Sequence, residues 1–250
     1  MKVALVQFNI ASKDKKANFD RVSDLLGDTR ADLIILPEMF NTAFEVEDLT
    51  LAEPLEGESI AFIKKLSLSH KAAVCASLMI DDQGVVFNRF VLVAEGELVG
   101  HYDKAHLFGM GGEAENLVPG STKVDMVVQG FKIRPIICYD LRFPYSSFND
   151  SDYDILLNVA NWPSGRIGHW DTLLQARAIE NQAFVIGCNR VGEQLQGDTT
   201  YFYPGHSSVY TPGGERLAHS IKEEVIFCEI DKQKIEETRN KLPFLKDRRM

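Results

Sequence analysis

The stretch IICYDLRFP, residues 136–144, joins an apolar run to a polar turn and closes on a proline. The run FKIRPIICYD, residues 131–140, overlaps the first half of this stretch and has the apolar content of a buried strand. Cys138 stands where that strand ends, and Asp140 and Arg142 follow within four positions. A cysteine in such a place is either a core residue or a nucleophile presented at the tip of a strand. The rest of the chain has to distinguish these two interpretations.

Strand and helix patterns on both sides of this stretch define the fold class. Apolar runs that end at turn signals predict strands, and apolar residues at three- and four-residue spacing predict helices. The predicted strands lie within residues 2–10, 31–38, 72–80, 86–104, 131–140, 153–163, 183–192, 206–220 and 224–231, and the predicted helices within residues 16–29, 58–71, 169–182 and 233–242. This mixture of alternating and consecutive strands predicts an α/β protein in which two stacked mixed sheets carry helices on their outer faces.

Composition and charge exclude several functional classes. The chain has 250 residues, of which 45% are hydrophobic and 25% are charged, and no linker or repeat interrupts it, so a single domain over residues 1–250 is predicted. The net charge is −9 and no basic stripe is present, which argues against a nucleic-acid partner. No apolar stretch approaches the roughly 18 residues of a membrane span, and the start does not read as a signal peptide. We therefore expect a cytoplasmic protein without a membrane partner.

Four cysteines are present, at positions 75, 138, 188 and 228. None belongs to a CxxC pair, and no histidine or cysteine lies nearby at zinc-ligand spacing, so neither a metal site nor a cofactor is predicted. Cys75, Cys188 and Cys228 each lie inside an apolar run, which favours a small buried hydrophobic residue in each case. Cys138 differs because polar residues follow it at once.

Three predicted strand ends carry polar residues that suit acyl transfer. Glu38 follows LIILP, Lys104 follows LVGHYD, and Cys138 follows RPII. A carboxylate can remove the proton of a thiol, and a lysine can stabilise both the thiolate and the oxyanion of a tetrahedral intermediate. Spacing alone does not show that the three side chains meet, so a loop glutamate and a core cysteine remain the alternatives.

Longer motifs carry a family resemblance. LPEMF, YDKAHLF and CYDLRFP, in this order, resemble the nitrilase superfamily of carbon–nitrogen hydrolases, and the resemblance extends to ANWP, HWDTLLQARAIENQAFVIGCNRVG, GHSSVYTPGGE and LPFLKDRR. It covers essentially the whole chain and is greatest to the omega-amidase branch. The resemblance implies an α-β-β-α sandwich that dimerises by stacking. It also implies hydrolysis of 2-oxoglutaramate or succinamate to the dicarboxylic acid and ammonia.

The resemblance also assigns catalytic roles, residue by residue. Glu38 matches the general base, Lys104 the catalytic lysine and Cys138 the nucleophile that forms a thioester. The backbone N–H of Tyr139, together with Lys104, is expected to stabilise the oxyanion. Tyr139 and Asp140 stand where true nitrilases usually carry Trp-Glu, which argues against nitrile hydrolysis.

In the family that this chain resembles, a second functional glutamate recurs a few residues before a Pro-Gly turn. The stretch GGEAENLVPG contains two candidates for that glutamate, Glu113 and Glu115. The distance to Pro119 and Gly120 favours Glu113, which would hold Lys104 and orient the substrate amide. A solvated loop carboxylate is the alternative.

The remaining candidates concern the substrate pocket. Arg142, or next to it Arg166, could bind the distal carboxylate of a dicarboxylate monoamide, because the planar guanidinium suits that ligand. An ion pair between Arg142 and a nearby acid is the alternative, and is favoured. Residues expected to line the pocket, or else to belong to the core, are Asn161, Trp162, Phe40, Phe44 and Phe108. Structural roles are expected for His106, His206 and Glu180. The expected partner of Glu180 is Arg177 or a residue of another element.

Two other functions remain open. Deaminated glutathione amidase or carbamoylase activity would use the same three catalytic residues with a different acyl pocket. A catalytically idle binding protein on this fold is the alternative of another class, and the presence of Glu38, Lys104 and Cys138 argues against it. A small-molecule omega-amide is the expected partner, in a homodimer or higher homo-oligomer.

Overall fold

The computed structural model describes residues 1–249, which form fourteen strands and six α-helices. The strands are Lys2–Gln7 (β1), Leu33–Ile35 (β2), Ala73–Asp82 (β3), Val85–Ala94 (β4), Glu97–Asp103 (β5), Met126–Val128 (β6), Phe131–Ile137 (β7), Ile155–Ala160 (β8), Phe184–Asn189 (β9), Val191–Gln196 (β10), Thr199–Pro204 (β11), Ser207–Tyr210 (β12), Arg216–Ser220 (β13) and Glu224–Glu229 (β14). The helices are Lys15–Leu26 (α1), Glu58–His70 (α2), Glu113–Asn116 (α3), Pro144–Ser147 (α4), Ile167–Asn181 (α5) and Lys232–Lys241 (α6).

The strands form two six-stranded mixed sheets and one separate hairpin. The first sheet has the order β14-β1-β2-β3-β4-β5, and the second has the order β13-β12-β9-β8-β7-β6. Strands β1, β2 and β3 are parallel to one another, as are β7, β8 and β9, whereas the outer strands pair antiparallel. Strands β10 and β11 form the separate hairpin, and Val191 of β10 also makes one isolated bridge to Asn9. The prediction of two mixed sheets is therefore confirmed.

The layers follow from the two-residue alternation of side chains along the strands. Alternate apolar residues of the central strands, among them Leu5, Ile35, Leu157 and Ile186, form a core between the two sheets. The intervening residues of the first sheet pack against α1 and α2, and those of the second sheet pack against α5. The predicted α-β-β-α sandwich is confirmed.

Helix α5 lies close to the second sheet because its buried face meets a glycine. Trp170, Leu174 and Ala178 recur at four-residue spacing and are fully buried. A Cβ atom on Gly187 of β9 would lie 2.6 Å from Leu174 Cδ1 and 2.7 Å from Trp170 Cζ2. A larger residue at this position would push the helix away from the sheet.

The strand directions bring the predicted catalytic residues to one edge of each sheet. Strand β5 is antiparallel to β4, which is antiparallel to β3, so β5 runs in the same direction as β2. Glu38 and Lys104, which follow β2 and β5, therefore lie at the same edge of the first sheet. Cys138 and Asn161 follow the parallel strands β7 and β8 of the second sheet.

Four features of the fold go beyond the sequence predictions. They are the short edge strand β6, the four-residue helices α3 and α4, and the hairpin β10–β11, of which only residues 191–192 fall within a predicted strand. Within residues 1–249, no helix combines the length and the apolar content that crossing a membrane requires.

Candidate active site

Cys138 occupies a strained turn directly after β7. Its φ angle is 43°, in the left-handed region that non-glycine residues seldom adopt. The Cys138 N–H donates to Asn158 Oδ1 on the neighbouring strand at 2.6 Å, which holds the backbone in this conformation. Strain of this kind persists only where the surroundings fix it, and it concentrates at functional sites.

Asp140 fixes the turn from its other side. Its buried carboxylate accepts from Tyr102 Oη at 2.8 Å and from the Ile137 N–H at 3.0 Å. It also accepts from the His106 N–H at 2.9 Å, and His106 Nδ1 lies at the same distance from the carboxylate. His106 stacks on Phe143 at 3.9 Å between ring centroids. Asp140 and His106 therefore support the turn that carries Cys138, in keeping with the structural role expected for the histidine.

Glu38, Lys104 and Glu113 form one buried network beside this turn. Lys104 Nζ donates to Glu38 Oε1 at 2.9 Å and to both oxygens of Glu113 at 3.0 and 2.7 Å. The side chains of all three residues are fully buried. An ammonium has three N–H donors, so these bonds engage the whole donor capacity of Lys104. Glu115, the alternative to Glu113, is exposed.

Two asparagines complete the network, and the sequence analysis did not identify the first. Asn88, inside β4, donates from Nδ2 to Glu38 Oε1 at 2.9 Å and to Glu113 Oε1 at 2.8 Å. Asn161, predicted to line the pocket, donates from its backbone N–H to Glu38 Oε2 at 2.8 Å and from Nδ2 to the Glu38 carbonyl at 2.7 Å. The position of the Glu38 carboxylate is thus fixed from both sheets.

The electrostatics of the network decide the protonation of its members. Burial opposes the charge of Lys104, but Glu113 and Glu38 outweigh this effect, so the pKa of Lys104 is raised and the ammonium stays charged. Burial also raises the pKa of the Cys138 thiol well above its usual range. The negative charge of Glu38 raises it further, and Lys104 offsets only part of the rise. The resting nucleophile is therefore a neutral thiol, whereas the sequence reasoning relied on the lysine to favour a thiolate.

A cavity of about 220 Å³ opens onto this network. Its walls contain Phe44, Lys104, Phe108, Met110, Gly111, Cys138, Tyr139, Arg142, Asn161, Trp162, Pro163, Arg166, Gln196, Tyr201 and Tyr203. Most of the candidate pocket residues therefore line one cavity with Cys138. The lining combines aromatic rings with a few polar and charged groups, as is typical of small-ligand sites.

The position of Phe40 differs from the prediction. It is fully buried in the core beneath the first sheet, and its ring lies 6.0 Å from that of Phe19 and 6.2 Å from that of Phe62. The prediction that Phe40 lines the pocket is wrong. The physical reason is the backbone between Glu38 and Phe40, because Met39 adopts a left-handed φ of 47° and turns the chain there.

Arg142 and Arg166 both line the cavity, and neither guanidinium lies within ion-pair distance of a carboxylate in residues 1–249. Arg142 lies over the Trp162 ring at 4.6 Å and contacts His169 Nδ1 at 3.1 Å, so the favoured alternative of an ion pair with a nearby acid is wrong. Arg166 lies over the Phe108 ring at 5.2 Å. Burial lowers the pKa of Arg142, and the charge of Arg166 lowers it further. Among residues 1–249, the cavity thus contains two cations without an anionic partner.

The hairpin β10–β11 supplies the part of the wall that the sequence analysis missed. Gln196, Tyr201 and Tyr203 all lie on one face of the hairpin, because they alternate along its two strands. Gln196 Nε2 donates to the Phe44 carbonyl at 2.8 Å and ties the hairpin to the loop after β2. The available signal was the Gly-Asp turn pair in EQLQGDTTYFYP, followed by threonines and by the aromatic residues 201–203, which are typical of a strand.

The other residues singled out in the sequence lie outside the cavity. His206 contacts Asp171 at 2.9 Å, and Glu180 pairs with Arg177 at 2.9 Å. Cys75 and Cys188 are fully buried, as predicted, but Cys228 is only partly buried because it lies on the edge strand β14. No group of three or more His, Cys, Asp or Glu side chains in residues 1–249 is arranged to hold a metal ion.

Alkylation of the cysteines by iodoacetamide tests the position and the pKa of Cys138. We expect Cys138 and Cys228 to be labelled before the fully buried Cys75 and Cys188. Because its pKa is raised, the labelling rate of Cys138 should still increase at alkaline pH where an ordinary thiol has already levelled off. Peptide mapping of the unmodified protein gives the order of labelling, and the same mapping over a range of pH gives the rate profile of Cys138. Rapid labelling of Cys138 that is independent of pH near neutrality would contradict it.

Comparisons with known proteins show the family of this chain. The sequence model of the family described as carbon-nitrogen hydrolase matches residues 2–240. Omega-amidase YafV of Escherichia coli strain K12 is 38% identical over 99% of this chain and 96% of its own length, and 2-oxoglutaramate amidase of Bacillus subtilis strain 168 is 31% identical over 98% and 96%. XC1258 of Xanthomonas campestris, a CN-hydrolase superfamily protein solved with an arsenic adduct in the active site, matches with a TM-score of 0.95 at 35% identity, over 100% of this chain and 97% of that one. The similarity extends over nearly the whole chain.

Proposed function

This chain belongs to the carbon–nitrogen hydrolase family, as its motifs predicted, and on that premise we propose that it is a cysteine amidase that hydrolyses the terminal amide of a short dicarboxylate monoamide. It is a hydrolase of carbon–nitrogen bonds other than peptide bonds. Succinamate and 2-oxoglutaramate are the proposed substrates, and the dicarboxylic acid and ammonia are the products. The single observation that carries this choice is the pair of unpaired arginines in the cavity that contains Cys138.

Acylation begins with the neutral thiol. Glu38 accepts the thiol proton as the Cys138 sulfur attacks the amide carbon, so the thiolate forms only when it is needed. The oxyanion is stabilised by the positive charge of Lys104 and by the N–H of Tyr139, which lies at the start of the 3₁₀ segment Cys138–Arg142 where N–H groups lack partners within the segment. The C–N bond then breaks as Glu38 returns the proton to the nitrogen. Ammonia departs, and the acyl group remains on Cys138 as a thioester.

Deacylation uses the same carboxylate in the opposite order. Glu38 removes a proton from water as its oxygen bonds to the thioester carbon, the C–S bond breaks, and the proton returns to the Cys138 sulfur. Glu38 suits both steps because Oε1 is held by Lys104 and Asn88, while Oε2 accepts the Asn161 N–H and keeps a lone pair for proton exchange. Glu113 holds Lys104 in place throughout.

Charge supports the choice of a substrate with a distal carboxylate. A carboxylate buried without a cation would cost several kcal/mol, and Arg142 and Arg166 offer that cation without competing acids. Lys104 is committed to Glu38 and Glu113. The same two cations disfavour glutamine, whose ammonium would enter a positive environment and would have to lose its hydration. We therefore expect 2-oxoglutaramate to be preferred over glutamine.

Replacing Arg142 with methionine tests this assignment. Loss of a charge-assisted hydrogen bond should cost roughly 2 kcal/mol of transition-state stabilisation with succinamate. This corresponds to a decrease in kcat/KM of about 30-fold, mainly because KM rises. Butyramide, which has no carboxylate, should be affected little. Ammonia release by Arg142→Met and Arg166→Met measures both substrates, with the exposed Arg30→Met as a matched control outside the cavity.

The outcomes separate the roles of the arginines. Equal losses on succinamate and butyramide in both variants would mean that the arginines are structural. If the unmodified enzyme hydrolyses succinamate and butyramide equally well, a broader aliphatic amidase replaces the proposed function. A larger acyl group, as in deaminated glutathione or a carbamoylase substrate, would be detected by including such amides in the same panel. Absence of ammonia release from every amide would favour an idle binding protein.

A further inference from the structure

Tyr203 is a buried tyrosine in the cavity and has no role in the acylation and deacylation steps proposed above. It is 6% exposed and lines the cavity beside Cys138. Its hydroxyl forms no hydrogen bond with any residue in 1–249. The hydroxyl is open to the cavity, so it is free to form a hydrogen bond with a molecule that enters there.

The position of Tyr203 is held by a buried cation. The Arg190 guanidinium lies 4.4 Å from the centroid of the Tyr203 ring and is fully buried. Arg190 donates to Gln194 Oε1 at 2.9 Å and to the Ile10 carbonyl at 2.8 Å, which joins the hairpin β10–β11 to the body of the protein. The ring is therefore fixed in place, as a group that orients a reacting molecule must be.

Tyr203 lines the same cavity as Cys138 and as Asn161, whose backbone N–H bonds Glu38. Burial raises the pKa of Tyr203 to about 12, the charge of Arg190 acts against this rise, and negative charge at Cys138 and Glu38 adds to it. The hydroxyl thus stays protonated at neutral pH, so it can both donate and accept a hydrogen bond. Glu38 is the residue that exchanges protons first with the leaving nitrogen and then with water.

We infer that the Tyr203 hydroxyl hydrogen-bonds the leaving amino group during acylation and then the hydrolytic water that takes its place. This inference rests on the proposed amidase function. A bound water needs two to four polar partners, and Glu38 supplies one of them. Tyr203 supplies a second.

The reaction that this contact serves is the transfer of the acyl group from sulfur to oxygen. Water attacks the thioester carbon, a C–O bond forms, and the C–S bond breaks. One water proton passes through Glu38 to the Cys138 sulfur, which restores the thiol. Hydroxylamine can replace water and gives a hydroxamate in place of the acid. As a stronger nucleophile, it depends less on being positioned and deprotonated by the enzyme.

The test is therefore the ratio of hydroxamate to acid formed from succinamate at a fixed hydroxylamine concentration. We expect Tyr203→Phe, which keeps the ring over Arg190, to raise this ratio roughly 10-fold and to lower kcat for ammonia release by a similar factor. Tyr210→Phe, a buried phenol outside the cavity, should leave the ratio unchanged. The ratio does not depend on the fraction of folded protein, so a loss of stability cannot imitate the effect.

An unchanged ratio in Tyr203→Phe, with normal turnover by the wild type, would overturn the inference and leave the proposed function standing. A change confined to KM would overturn it as well, because it would make Tyr203 a pocket wall. If the wild type released neither acid nor hydroxamate from succinamate or 2-oxoglutaramate, the proposed function would fail first.

Discussion

Replacing Cys138 with alanine should lower amidase activity by roughly 10⁴-fold or more while the fold survives, because no other group can form the acyl intermediate. The folded protein should tolerate the change. Alanine meets the same left-handed φ of 43° that cysteine already adopts, and the Cys138 N–H bond to Asn158 is unaffected. Ammonia release from succinamate and thermal unfolding of the purified variant measure the two parts of this prediction.

Cys228→Ala is the matched control, since Cys228 is also partly buried but lies on β14, outside the cavity. It should retain wild-type turnover. Appreciable turnover by correctly folded Cys138→Ala protein would exclude a cysteine nucleophile at this position.

Replacing Glu38 with glutamine should lower kcat by roughly 10³-fold, which is within the usual range for a general base. The amide cannot accept the thiol proton. The NH₂ group of the glutamine would replace one of the two carboxylate oxygens. At the Oε2 position it would face the Asn161 N–H, and at the Oε1 position it would face the Lys104 and Asn88 donors. We expect an accompanying loss of about 1–3 kcal/mol in the free energy of unfolding, because a buried donor loses its acceptor.

The control for this variant is Glu115→Gln, which changes an exposed carboxylate next to the site and should leave kcat and stability unchanged. If Glu38→Gln lost stability but kept its kcat, Glu38 would be a structural member of the network, and a different base would be needed.

The catalytic strand ends were predictable because they combine two local signals. An apolar run marks a buried strand, and a polar residue directly after it marks a loop at the edge of a sheet. Glu38, Lys104 and Cys138 all fit this description. What the pattern could not establish is that the two edges face each other, since that depends on strand order and direction in both sheets. The family resemblance supplied this step.

Residues beyond the strand ends were harder to place. Phe40 is two positions from Glu38, yet the left-handed turn at Met39 directs it into the core. Asn88 lies inside strand β4, where it and Arg89 interrupt an apolar run, and its polar side chain was a usable signal. Tyr203 reaches the cavity only through the hairpin β10–β11, whose position depends on long-range contacts such as that of Arg190 with Ile10. Adjacency in sequence is a poor guide where the backbone turns sharply.

The environment of Arg142 shows a further limit of sequence reasoning. Acids near Arg142 in sequence suggested an ion pair, but Asp140 is already satisfied by Tyr102, Ile137 and His106. The guanidinium therefore remains available to a ligand. Partners of a charged side chain depend on which groups the fold has already engaged, and a single sequence does not contain that information.

Identification of the acylated residue tests the central claim most directly. The p-nitrophenyl monoester of succinate should acylate the enzyme quickly, because its leaving group needs no protonation. In the Glu38→Gln variant, the hydrolysis of the resulting acyl-enzyme should be slower. After an acid quench, peptide mapping by mass spectrometry should find one succinyl group on the peptide that contains Cys138, and none on those that contain Cys75, Cys188 or Cys228. Release of p-nitrophenol with no acyl group on Cys138, or with a stable acyl group on another residue, would contradict the account.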